Sequence, residues 1–208
     1  MTFAATALSE VRTTRQAVPE GIELTTTRLE LRPMGRADVE RIYETNRNLN
    51  EDYMAAPALD REALEELRGQ FELEWRAYGM GYLMVFHAET DMPVGHVRLK
   101  WIPGCASGRA AALTYAIDAP YQCRGYATEA VAAVLRFAFT EAGLDYVVAC
   151  VEPDNIPSVR VVEKNMMAAV AEGRTYHRRM RRYLMPAAMW KAKQRTLARE
   201  AAKDIAVL

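Results

Sequence analysis

The chain has 208 residues, half of them hydrophobic, and its 27 basic side chains balance 27 acidic ones. That length and apolar content suit one domain with a sizeable core, while the balanced charge argues against a nucleic-acid-binding surface, which usually leaves a basic excess. Cys105, Cys123 and Cys150 are odd in number, widely spaced and without a CxxC pair, which speaks for reduced thiols and against a disulfide framework or a zinc site.

Residues 1–20 are rich in Thr and Ala without clear period and read as a flexible arm. They lack the basic start and apolar centre of a signal peptide, and no apolar run approaches membrane-spanning length. A cytoplasmic protein with no membrane partner is the expectation. In IELTTTRLELRPM, Thr27, Leu29 and Leu31 alternate with Arg28, Glu30 and Arg32, which predicts a first strand ended by Gly35 and Arg36. Asp38 opens a predicted helix through VERIYETNRN. A second helix, DREALEELRGQFELEWRAYG, sets Leu64, Leu67, Phe71 and Trp75 at three- and four-residue steps, with Asp60 as its cap. GYLMVFHA and VGHVRLKWI form a hairpin across ETDMP, and AALTYAIDA is a further strand ended by Pro120.

The next helix, ATEAVAAVLRFAFTEA, carries Ala127, Val131, Val134 and Ala138 on one face and stops at Gly143. DYVVACV is a buried strand. PDNIPSVRVVEKN turns into a short helix capped by Asn155, with Pro157 in its first turn. RTYHRRMRRYLM supplies the last strands. The tail, 191–208, repeats Leu197, Ala201, Ile205 and Leu208 and reads as an amphipathic terminal helix. The element order gives one mixed α/β domain over 21–190.

Between the AALTYAIDA strand and its helix stands YQCRGYATEA. A strand that runs through a glycine turn into a helix exposes backbone N–H groups at the helix N-terminus, and those donors favour an anion. Gly125 permits close backbone approach, and Ala127 is small enough not to block it. The turn lacks both the Gly-x-Gly-x-x-Gly dinucleotide fingerprint and the Gly-Lys-Ser/Thr ending of a P-loop. Taken alone, Gln122-x-x-Gly125-x-Ala127 reads equally as an anion-binding turn or as an ordinary strand-to-helix turn.

Two ordered motifs, YAIDAPYQCRGYATEAV and EPDNIPSVRVVEKN, resemble the GNAT superfamily of acyl-CoA-dependent N-acyltransferases, within it the Rim-type ribosomal-protein N-terminal acetyltransferases. The resemblance runs from about residue 26 to 190. It implies a GNAT fold of α/β (α+β) class: a mixed, mostly antiparallel twisted sheet with a splayed parallel strand pair and helices on both faces. Acetyl-CoA is the implied cosubstrate. Tyr115, Ala116 and Ile117 would pair through backbone groups with the pantetheine amides. The N–H groups of Arg124, Gly125, Tyr126, Ala127 and Thr128 would cradle the pyrophosphate, with Gln122 starting the motif. Asn155 would face the pantetheine arm as well as capping its helix.

Acetyl transfer to an amine needs a neutral nucleophile beside the thioester, stabilisation of the oxyanion and a proton for the departing thiolate. By the resemblance, Ser158 of the Asn-x-x-Ser motif is the candidate proton donor; the plain alternative is a first-turn helix serine bonded to backbone. The tyrosine that many members carry later on this helix is Val162 here. Ala111, Ala112 and Cys150 stand where relatives carry carboxylates, so no general base is assigned. Glu129 and Asp118 read as a helix residue and a strand-end residue. Where the family commonly reads Glu-Lys-x-Gly, this chain has Glu163, Lys164, Asn165 and Met166, and Asn165 is the residue expected to take a left-handed helix ending.

His87, His96 and His177 lack ligand spacing, which argues against a metal. In HRRMRRY, Arg178 and Arg182 share one strand face, and Arg179 and Arg181 share the other. A solvated edge strand is the expectation there; the alternative is contact with an acidic acceptor or the CoA 3′-phosphate. The resemblance thus implies an acetyl-CoA-dependent N-acetyltransferase acting on a primary amine, either a protein N-terminus or a small molecule. A non-catalytic acyl-CoA-binding module is the alternative, supported by the missing carboxylates and tyrosine. A nucleotide-binding turn for ATP or NAD fits least, since the lysine and third glycine are absent. The acceptor site is expected from residues 53–82 and 174–183. The terminal helix could join a homodimer or pack on its own core.

Overall fold

The structure, a computed structural model, describes residues 22–33, 38, 61–106, 108–175 and 178–205. The N-terminal arm, the predicted helix after Asp38, the Asp60 cap and the turn at Tyr176 and His177 lie outside them. Alternation near the N-terminus is realised in two short strands rather than one. Strand β1, Leu24–Thr25, and β2, Leu29–Pro33, pair antiparallel across a bend at Thr27 and Arg28. Arg28 therefore stands in a turn, not in a strand face.

Helix α1, Arg61–Tyr78, leads to the hairpin of β3, Tyr82–His87, and β4, Met92–Ile102. Strand β5, Ala110–Ile117, ends before Pro120, which falls in a single 3₁₀ turn, Ala119–Tyr121. Then follow α2, Tyr126–Thr140; β6, Tyr146–Val151; α3, Ile156–Lys164; β7, Ala168–Thr175; β8, Arg178–Pro186; and α4, Ala187–Ile205. The strands form one eight-stranded sheet in the order β1-β2-β3-β4-β5-β6-β8-β7. Every neighbouring pair is antiparallel except β5 and β6. This is the mixed sheet with one parallel pair that the two motifs implied. The expectation of an arginine-rich edge strand fails, because β8 lies between β6 and β7, and β7 is the edge.

The two sheet faces are covered differently. Leu29, Leu31, Leu83, Val85, Val97, Leu99, Leu113, Val147 and Ala149 pack with α2 and with Val162 of α3 in the main core. On the opposite face Phe71 of α1 packs with Met84 and Phe86 and stacks on Tyr82 at 4.2 Å. Trp75, one helical turn on, leaves that face: its indole N–H donates to the Tyr82 carbonyl at 2.9 Å and its ring meets Phe137 of α2. Helix α2 is buried more broadly than the one-faced pattern suggested. Nine of its side chains are buried, from Tyr126 to Phe139, whereas Ala127 is only half-buried. Each fully buried aliphatic or aromatic side chain contributes roughly 1.5–3 kcal/mol, so this helix anchors the layer. Helix α4 is set against it through Trp190 on Phe139 at 5.6 Å, and Leu197 is exposed.

The end of α3 corrects a further expectation. Asn165 keeps φ −81°, and Met166 takes the left-handed conformation at φ 58°. Asn165 is instead buried, and its amide donates to the carbonyls of Thr128 and Val161, which ties α3 to the first turn of α2. That inward role leaves the strained position to an exposed methionine. A left-handed non-glycine residue costs roughly 1–2 kcal/mol, partly offset by the unfolded-chain entropy that glycine adds. Met166→Gly is therefore expected to stabilise the fold by about 0.5–1 kcal/mol in urea unfolding; a loss of stability would contradict the strain.

Candidate functional site

The parallel pairing of β5 with β6 runs only from Ala110–Tyr146 to Leu113–Ala149. Beyond it, β5 continues along β4 as far as Ile117 opposite Gly95, and β6 continues along β8 as far as Val151 opposite Arg181. The two strands thus part after Leu113 and Ala149. Residues 114–117 keep a strand partner on one side only. At Gly95 the β3–β4 register shifts, and an added Cβ would fall against the Ala116 carbonyl, so only glycine lets β4 follow the diverging strand so closely.

Both helices that follow the parted strands begin at the same end of the gap. In open α/β sheets that is where ligands bind, beyond the carboxyl ends of parallel strands. After Ile117 the chain makes the 3₁₀ turn, and the Gln122 side chain reaches back to donate to the Ile117 carbonyl at 2.8 Å. Cys123 (φ 60°) and Gly125 (φ 84°) are left-handed, and Gly125 caps α2. The first helical bond is Glu129 N–H to the Gly125 carbonyl at 3.1 Å. Among the described residues, the N–H groups of Arg124, Gly125, Tyr126, Ala127 and Thr128 have no protein acceptor. Five consecutive free donors at a helix N-terminus form a nest suited to an oxyanion.

Across the gap, Asn155 caps α3 by accepting the Ser158 N–H at 3.2 Å. The Tyr115 hydroxyl donates to the Ser158 carbonyl at 3.0 Å, so a side chain of the diverging β5 touches the first turn of α3. Burial pushes the Tyr115 phenol up to about 12, which keeps its proton in place at neutral pH. The Ser158 hydroxyl, half-buried, makes no protein hydrogen bond among the described residues, unlike the backbone-bonded serine that was its plain alternative. Ala116 faces His96 in register. The eleven residues singled out from sequence therefore lie on the diverging part of β5, on the turn into α2 with its first turn, and at the start of α3. Val162 and Ala111 are fully buried in the core, and Cys150 is exposed opposite Arg182.

Sequence reasoning gave Arg28 no part in the site. Arg28, in the β1–β2 bend, donates to the Arg124 carbonyl at 3.1 Å and to Glu129 of α2 at 2.8 Å. His96 stacks on Tyr82 at 4.9 Å on the α1 face, beside Arg98, which pairs with Glu74. Asp118, buried at the end of β5, has its carboxyl raised by desolvation. Three of the four arginines of β8 are engaged: Arg179 and Arg181 share Glu172, and Arg178 pairs with Glu152, while Arg182 is exposed opposite Cys150. Among the described residues, no group of three His, Cys, Asp or Glu is placed to hold a metal ion, and no helix is long and apolar enough to cross a membrane.

The acetyltransferase (GNAT) domain family matches residues 28–168, more than half of the chain. The chain belongs to the GNAT acetyltransferase family. The GNAT fold is also shared with the ribosomal-protein-S5-alanine acetyltransferase of Vibrio fischeri, at TM-score 0.70 and 17% identity over 82% of this chain and 99% of that one. Spermidine N-acetyltransferase of Vibrio cholerae, solved with CoA and spermine, superposes at TM-score 0.64 and 19% identity, covering 79% of this chain and 99% of that one. In sequence, the N-acetyltransferase YnaD of Bacillus subtilis is 48% identical over 44 residues, 21% of this GNAT chain. The chain spans about a quarter (26%) of the length of that relative.

His96 offers a check on the local packing. Burial first, and then the neighbouring Arg98 charge, lower its imidazole to about 4, so the ring is neutral when folded and titrates near 6.5 when unfolded. Between those values the unfolded chain binds a proton that the folded chain refuses, so stability is full above pH 6.5 and falls as pH drops towards 4. The ring keeps some surface access, so lowering pH from 7 to 5 should cost about 1–2 kcal/mol through this group. Chemical unfolding of His96→Phe at both pH values should show a correspondingly smaller acid loss; an unchanged loss would contradict the assignment.

Proposed function

We propose that the chain is an acetyl-CoA-dependent N-acetyltransferase whose donor lies in the gap between β5 and β6. The observation that carries this reading is the run of free N–H groups at residues 124–128, set where two parallel strands part. The nest suits a pyrophosphate in kind and number of donors, and glycine at position 125 takes the left-handed backbone of the turn without strain. Tyr115, Ala116 and Ile117 offer a one-sided strand edge to the pantetheine amides, as a β-strand accepts an added strand. Gln122 fastens the turn to that edge, and Asn155 borders the pantetheine arm while it caps α3. The acyltransferase unit spans 21–190 and takes in the start of the terminal helix α4, which continues beyond it.

Bound acetyl-CoA supplies an activated acyl carbon. A neutral amine forms the new C–N bond there, the C–S bond breaks, and the sulfur needs a proton. The Ser158 hydroxyl, free of other protein bonds at the mouth of the gap, gives that proton and recovers one from solvent. The amine loses its extra proton to water, since Ala111, Ala112 and Cys150 offer no carboxylate. Family membership and the fold shared with enzymes named for spermidine and for a ribosomal protein support an amine as acceptor, either a small molecule or a protein N-terminus. A second reading, a GNAT-fold module that binds acyl-CoA without turnover, is favoured by the core valine at position 162.

Thiol release from acetyl-CoA in the presence of an amine panel separates the two. Amine-dependent release supports the enzyme, and CoA binding without release supports the module. Gly125→Val, which places a β-branched side chain at a left-handed position under the nest, is expected to cut release at least tenfold. Release unaffected by this change would contradict the donor placement.

A further inference from the structure

The N–H groups of the turn face outward only if the peptides that carry them are held in one orientation. Glycine at φ 84° does not enforce this, because its neighbouring peptide can flip at little steric cost. An orienting contact comes from outside the motif. The Arg28 guanidinium lies beneath the turn: its Nη2 is the nearest group to a Cβ added at Gly125, at 3.4 Å, and its Nη1 donates to the Arg124 carbonyl at 3.1 Å. In a trans peptide the carbonyl and the following N–H point in opposite directions. Drawing the Arg124 carbonyl down therefore turns the Gly125 N–H up, away from Arg28 and out of the turn.

Arg28 is itself tightly placed. Its Nε and Nη2 meet Glu129 Oε2 at 2.8 and 2.6 Å, and its backbone N–H meets Oε1 at 3.0 Å. Thr26 donates its hydroxyl to the same Oε1 at 2.6 Å, and the guanidinium lies over the Tyr126 ring at 4.7 Å. Burial alone would raise the Glu129 carboxyl, but the bonds from Thr26 and Arg28 outweigh it and hold the group below the usual range. Glu129 sits in the first turn of α2, where a bare carboxylate would oppose an anion bound at the nest. The pair cancels that charge and leaves Nη1 of Arg28 for the carbonyl.

We infer that Arg28 is a positioning residue for the donor site: it locks the 124–125 peptide so that the nest is formed before the pyrophosphate arrives. The inference rests on the cosubstrate reading above and adds a residue outside both motifs. A lysine in its place keeps the charge, but a single Nζ cannot replace the planar fork that sets Nε and Nη2 on Glu129 Oε2 while Nη1 donates to the Arg124 carbonyl.

Calorimetric titration with CoA and with pantetheine, which lacks the pyrophosphate, tests this in the wild type, Arg28→Met and Arg28→Lys. Thermal unfolding of each variant establishes that it is folded. Both substitutions are expected to weaken CoA by about tenfold and leave pantetheine within about twofold, because only the pyrophosphate uses the nest. Arg28→Lys with wild-type CoA affinity would show that charge alone suffices and overturn the lock. Equal weakening of CoA and pantetheine would assign Arg28 a merely structural part and overturn it equally. A wild-type chain that binds neither ligand would overturn the cosubstrate reading itself.

Discussion

The structure depends on one interrupted pairing. For four positions β5 and β6 share a parallel ladder, and then each follows its antiparallel neighbour instead. A backbone edge left without a partner is costly when buried and useful when a ligand can supply the partner. The sheet tolerates the break because both strands remain anchored on their outer sides, and because the main core continues beneath them through Leu113, Ala149 and Tyr183. Gly95 and the register shift beside it let β4 bend with β5. Once the strands part, both following helices must start at the same rim, and their N-terminal donors converge there.

Charge at that rim is arranged by contact rather than by net excess. The chain as a whole is neutral, yet the turn before α2 gathers five N–H groups without a protein acceptor among the described residues, and Arg28 pairs with the Glu129 carboxylate beside them. Of the β8 arginines, for which contact with a phosphate was the alternative to a solvated edge, Arg179 and Arg181 are spent on Glu172 and Arg178 on Glu152. Surface ion pairs of this kind contribute little to stability, but they remove those cations as competitors for the phosphates. The short helix α3 joins the site through its cap and through the Tyr115 bond, so the two walls of the gap touch at one point.

Much of this was legible in the sequence. Alternation marked the β3–β4 hairpin, the Gly125 turn marked the start of α2, and Asn155 with Pro157 marked α3. The two motifs fall where β5 leads into α2 and where β6 leads into α3, the helices that follow the parted strands. What stayed hidden depended on distant partners. Arg28 looked like an ordinary polar strand residue, because its partners lie about a hundred positions away. The left-handed position fell on Met166 because Asn165 is drawn inward by the Thr128 carbonyl, a tertiary bond that no local propensity records. β8 looked like a solvated edge because its arginines are polar on both faces; its inner place follows from the crossover that puts β7 outside it. The breadth of burial on α2 exceeded its periodic face because α1 and α4 reach it with Trp75 and Trp190.

The central claim is that the backbone N–H groups of residues 124–128 hold the donor's pyrophosphate. Amide nitrogen–proton NMR of the labelled chain, titrated with CoA, reads those groups one by one. The account predicts that the largest downfield proton shifts fall on Gly125, Tyr126, Ala127 and Thr128, with smaller changes at residues 115–117. Saturable CoA binding that leaves those amides unmoved and shifts another surface would contradict it.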